Sequence, residues 1–152
     1  MALAAIFSVY VVIGLVAAAG AIYISQRVVP ARFEAALYGL VLLAIASVYL
    51  AFVGYFGERA ASGLETAAVI AFAVLGCLGT RVPVALIAGF ALHGAWDLLH
   101  EIHALTGAEV YGGAALTQIP LAYGAFCATF DWAMAAYFFS RRGQWRSAWA
   151  AR

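Results

Sequence analysis

No charged side chain occurs before Arg27. A helix needs about 20 apolar residues to cross the hydrocarbon core of a bilayer, and this run supplies them. In that medium the backbone must close its hydrogen bonds internally, so the run is predicted to be helical. Further apolar stretches follow, separated by short breaks containing Arg, Gly or Pro. The chain is 67% hydrophobic and 10% charged, against about 25% charged in soluble domains. Such a composition lacks the polar surface to cover a water-soluble globule, so one integral membrane domain, residues 1–152, is predicted. The chain has no lysine and a net charge of +1. Without a long basic run, nucleic acid is not expected as a partner. The N-terminus also lacks a positive n-region, so the first segment is predicted to remain as a transmembrane helix.

Five spans can be read, at residues 2–25, 33–56, 65–80, 84–105 and 118–140. The third and fourth are divided at Arg81 and Pro83, because a single helix over 65–104 would be about 60 Å long. The fold class is therefore an all-α bundle of five transmembrane helices. With the N-terminus outside, Arg27, Arg32, Arg81, Arg141, Arg142, Arg146 and Arg152 all fall on the cytoplasmic side and only Arg59 falls outside, as the positive-inside rule favours. Trp145 and Trp149, beyond the last span, are placed along the interface. Tyr49 reads as an ordinary packing or belt residue, and Cys77 and Cys127 read as small packing residues without metal-ligand spacing.

The fourth span carries all three histidines in the run His93-Gly-Ala-Trp-Asp-Leu-Leu-His-Glu-Ile-His103. At about 100° per residue, His93, Asp97 and His100 fall within roughly 60° of one another. Counted from the outer end, they lie about 16, 10 and 6 Å deep. Glu101 and His103 border the stripe near the rim. On the antiparallel fifth span, Tyr123, Cys127 and Asp131 form a second stripe at matching depth, predicted to face the first. Glu65, at the outer start of the third span, is expected beside Glu101.

Ionisable groups are costly inside a membrane, which gives this stripe three readings. In the first, His93, Asp97 and His100 ligate a transition metal (zinc, iron or copper) near the outer face. Asp131, Tyr123 and Glu65 would support the ligands from outside, and Glu101 would be the proton-transfer group of a catalytic site. In the second, Glu101, His100, Asp97, His93 and Asp131 form a proton or ion path through a small coupled transporter. In the third, the cluster is structural, in an accessory subunit of a membrane complex. Haem is disfavoured because all three histidines lie on one helix. The spacing after His100-Glu101 does not make a HExxH zinc motif.

The run from His93 to Glu101 resembles the H-x-x-W-D-x-x-H helix of small uncharacterised bacterial multispan membrane proteins. Where that pattern often continues with a second histidine, this chain has Glu101. The resemblance implies a compact bundle in the bacterial inner (plasma) membrane and implies no substrate. The lipid bilayer is the expected partner, with a homo-oligomer or larger membrane complex, since five short helices bury little on their own. Metal binding is the preferred reading.

Overall fold

The computed structural model describes residues 1–107 and 115–150. Its elements are α1 (Ala2–Val28), α2 (Ala31–Phe56), a 3-10 turn (Arg59–Ala61), α3 (Ser62–Gly79), α4 (Pro83–Thr106) and α5 (Tyr123–Ala150). All the described secondary structure is helical, as composition requires. By length and composition, Ala2–Val28, Ala31–Phe56 and Arg59–Gly79 are apolar enough to cross a membrane. Helices α4 and α5 are not among these three. They carry His93, Asp97, His100, Glu101 and Asp131, which lower their mean hydropathy although these side chains are buried.

Local chemistry sets the helix ends. Pro83 opens α4, in the first turn where its missing N–H costs nothing. Gly57 and Gly107, at φ 73° and 65°, end α2 and α4 in the left-handed conformation that glycine adopts without strain. The fifth helix departs most from expectation. It starts at Tyr123 rather than 118, and residues 115–120 are extended or irregular. Pro120 cannot donate to a helix ladder. The backbone N–H groups of Thr117, Gln118, Ala122 and Gly124 are instead taken up by carboxylates of Glu65, Glu58 and Glu101. At its other end α5 continues through the arginine tail to Ala150.

Helix α4 packs most extensively on α5, α1 leans on α5, and α2 closes the bundle against α3, α4 and α5. The α4–α5 approach depends on glycine. A methyl group on Gly124 would lie 2.8 Å from Glu101 Cβ, and one on Gly94 would lie 2.8 Å from Trp132 Nε1. Trp132 also donates to the Ala91 carbonyl at 3.1 Å. This close approach brings the two polar stripes into contact.

A second polar knot ties α1, α2 and α5 at the end of the bundle away from Glu101. Glu34 is fully buried. It accepts from Arg141 Nε at 2.8 Å, Trp145 Nε1 at 2.9 Å, Ser25 Oγ at 3.3 Å and the Tyr137 hydroxyl. Trp145 is consequently buried inside the bundle rather than lying along the interface. Sequence reasoning missed this knot. The available signal was a carboxylate in the first turn of an apolar helix, with Arg141 at the start of the arginine-bearing stretch of the last one.

Candidate metal centre

Buried at the centre of the α4–α5 contact are His93, Asp97 and Asp131, each no more than 1% exposed. His93 and Asp97 share a face of α4 at the i, i+4 spacing, and Asp131 comes from α5. His93 Nδ1 lies 2.7 Å from Asp131 Oδ2 and 3.2 Å from Asp97 Oδ2. One ligand atom from each of the three residues falls within 4.8 Å of the others, a spacing that fits a metal ion. The other oxygen of Asp97 accepts from the Tyr49 hydroxyl. Phe72 and Tyr49 flank the His93 ring edge-on, at 4.8 and 6.0 Å between centroids. Buried and without hydrogen-bond partners are His93 Nε2, Asp97 Oδ2 and Asp131 Oδ1.

Charge is the main physical problem of this cluster. Two carboxylates and one imidazole are buried together. Between residues 82 and 140 the sequence has no arginine or lysine. Even with a protonated imidazole the group would carry net negative charge. Buried charges are normally paired or bound to metal, so the cluster calls for a cation, either protons or a metal ion.

The remaining sequence-predicted residues fall elsewhere. His100 is buried, but both of its nitrogens are engaged. Nδ1 meets the Trp96 carbonyl at 2.9 Å, and a carbonyl only accepts, so Nδ1 carries a proton. Nε2 meets Glu65 Oε1 at 2.8 Å, a contact that needs one further proton between the two groups. His100 therefore has no nitrogen to offer the His93 cluster in this arrangement, and Asp131 occupies the third position instead. Glu65 is placed beside His100 rather than beside Glu101, and also accepts the Thr117 N–H at 3.1 Å. Glu101 holds the start of α5: its two oxygens accept the N–H groups of Ala122 at 2.9 Å and Gly124 at 2.8 Å. Tyr123 shares a hydrogen bond with Cys127 and packs edge-on against Phe52. His103 is half-buried in the last turn of α4.

Tyr49 is the site residue that sequence reasoning passed over. It is 1% exposed and also packs its ring on His100 at 4.2 Å. Its signal was positional. Tyr38, Leu42, Ala46, Tyr49 and Val53 repeat at helical spacing and form the inward face of α2. A tyrosine on such a face needs a partner for its hydroxyl.

Comparison with family models, curated proteins and solved structures finds no match to this chain.

Proposed function

We propose that this chain is a multi-pass membrane protein whose bundle interior binds a divalent transition metal through His93, Asp97 and Asp131. The observation that carries the reading is the convergence of Nδ1 and two carboxylate oxygens, at 2.7 and 3.2 Å, with no arginine ion-paired to them among the described residues. A divalent cation would neutralise the two carboxylates and leave the imidazole neutral as a ligand. Imidazole with two carboxylates suits zinc or iron and leaves coordination positions open. Tyr49, bonded to the far oxygen of Asp97, would orient that ligand.

Elemental analysis of purified protein, after growth with zinc, iron and copper supplied, tests this directly. The parent is expected to carry one metal per chain. His93→Ala, Asp97→Asn and Asp131→Asn should each lose at least about 90% of it, since loss of even a supporting partner typically costs 10–100-fold in affinity. His100→Ala and His103→Ala should keep it. A metal-free parent, or retention by all three ligand variants, would sink the assignment.

A second reading is a proton-coupled carrier, favoured by the His100–Glu65 contact, which needs a proton at a second buried pair. Tyr49 touches both pairs, bonding Asp97 and packing on His100. Proton-dependent ion flux in liposomes prepared from a metal-free parent would select this alternative.

The proposed setting is the bacterial inner membrane, with five spans, the N-terminus outside and the C-terminus in the cytoplasm. The arginine asymmetry supports that orientation. Tyr111, in the outer connection, lies outside the described residues, so Ser62 and Ser147, both exposed, are the better probes. In intact cells an impermeant maleimide should label Ser62→Cys and leave Ser147→Cys untouched until the membrane is opened. Labelling of Ser147→Cys from outside would overturn the orientation.

A further inference from the structure

The last turns of α5 lie along the junction between α1 and α2. Tyr137, Arg141, Trp145 and Trp149 follow one another at i, i+4 spacing and form one ridge. The Tyr137 hydroxyl accepts from Gln26 Nε2 at 3.3 Å, Arg141 and Trp145 hold Glu34, and Trp149 Nε1 donates to the Arg32 carbonyl at 3.4 Å. Arg142 and Arg146, each one residue past a member of the ridge, flank it one turn apart. Charge at this junction is one-sided. Residues 25–34 and 137–150 contain five arginines and one carboxylate, Glu34. Glu34 is fully buried and ion-paired to Arg141. Among the described residues, Arg27, Arg32, Arg142 and Arg146 have no ion-pair partner. Three of these four lie over aromatic rings, Arg27 on Tyr23 and Arg32 on Phe33 at 4.7 Å, and Arg142 on Phe139 at 3.5 Å. Each of the three rings is at least half exposed.

We propose that this end of the chain binds the headgroup of an anionic phospholipid through Arg32, Arg142 and Arg146. The inference rests on the membrane reading and is independent of the metal centre. Guanidinium groups engage phosphate oxygens with paired N–H donors, and stacking on a ring leaves those donors at the edge free to do so. A zwitterionic headgroup would bring its own cation among these arginines, and the one local carboxylate is buried and already paired. A net negative headgroup meets no such repulsion. The exposed rings and their neighbours point to a lipid rather than a soluble anion. From Tyr23 and Phe33 the exposed surface continues over Ile24, Leu37 and Leu40 along α1 and α2. Acyl chains can lie on that apolar surface directly beside the cations, a contact that inorganic phosphate cannot make.

Native mass spectrometry of the chain in a neutral detergent tests this, with phosphatidylglycerol and phosphatidylcholine of identical acyl chains as competing probes. Phosphatidylglycerol should be retained about tenfold or more over phosphatidylcholine, at roughly fivefold for each arginine engaged. Arg32→Gln, Arg142→Gln and Arg146→Gln combined should bring the two lipids to near parity. Arg146→Gln alone, at an exposed position, should cut the preference several-fold and covers the case in which the triple variant fails to fold. Arg81→Gln, which removes an exposed arginine from the α3–α4 connection, should keep the parent's preference. An equal loss in Arg81→Gln and Arg146→Gln would mean diffuse surface charge and would overturn the site. Displacement of the lipid by inorganic phosphate at equal concentration would assign the arginines to a soluble anion and overturn it as well. A chain that reconstitutes into phosphatidylcholine vesicles yet shows no headgroup preference would sink the lipid site and leave the membrane reading standing. A chain that enters no bilayer would sink both.

Discussion

Stripped of metal, Asp97→Asn and Asp131→Asn should each be more stable than the parent, by about 1–3 kcal/mol. With metal restored, the order should reverse. The argument rests on the two buried carboxylates that face one imidazole nitrogen at 3.2 and 2.7 Å. Without a cation their mutual repulsion and lost hydration are borne by the fold. Asparagine keeps the shape and an acceptor oxygen. His93 Nδ1–H retains a partner in Asp131→Asn, and the Tyr49 hydroxyl retains one in Asp97→Asn. One buried negative charge is removed at little cost in hydrogen bonds. The parent, by contrast, should gain about 2.7 kcal/mol when free metal stands at 100 times its dissociation constant. The variants, each lacking one ligand charge, should gain little. Unfolding titrations of the three proteins, with chelator and then with metal, read the crossover. Parallel responses of all three would mean that the cluster's charge is balanced by protons alone.

The helix-face argument placed Asp131 of the fifth helix opposite His93 of the fourth, and the structure has them 2.7 Å apart. Two facts made that legible: the period of a helix, and the equal depth of two polar stripes on antiparallel neighbours. The His100 partner was harder to see. His100 shares its helix face with His93, but lies about 10 Å further along the axis at 1.5 Å per residue. There the nearest acidic group comes from α3 rather than α5. Periodicity within one helix cannot say which neighbour flanks it at each level. The backbone contacts of Glu101, read from the sequence as a proton-transfer group, are hidden for a related reason. The apolar pattern begins the fifth span at 118, which hides the irregular backbone ahead of Tyr123. Its N–H groups need acceptors, and Glu65, Glu58 and Glu101 supply them. Hydropathy detects apolar runs, but it does not register where a backbone leaves the helix while remaining buried.

Glu101 should therefore behave as an anchor, and its removal should be among the most damaging substitutions in the chain. Its side chain is 2% exposed, and both oxygens accept backbone N–H groups at the start of α5. Hydrogen bonds to a charged acceptor are worth about 1.5–3 kcal/mol each, and a helix N-terminus adds favourable charge–dipole energy. Glu101→Ala would leave two buried donors without acceptors, beside Ala122, whose φ of 62° is already unfavourable for a residue with a Cβ. A loss of about 3–5 kcal/mol is expected. Glu101→Gln should cost about 2 kcal/mol, because the amide offers one acceptor and turns its NH₂ toward the second N–H. The stripped His93 cluster should then unfold at lower denaturant in both variants. Metal bound per folded chain should stay unchanged, since Glu101 is not one of the three converging ligands. Unfolding curves and metal content, measured on the same preparations, decide between anchor and proton carrier. A Glu101→Gln protein as stable as the parent, yet defective in proton-dependent turnover or flux, would return Glu101 to the chemistry.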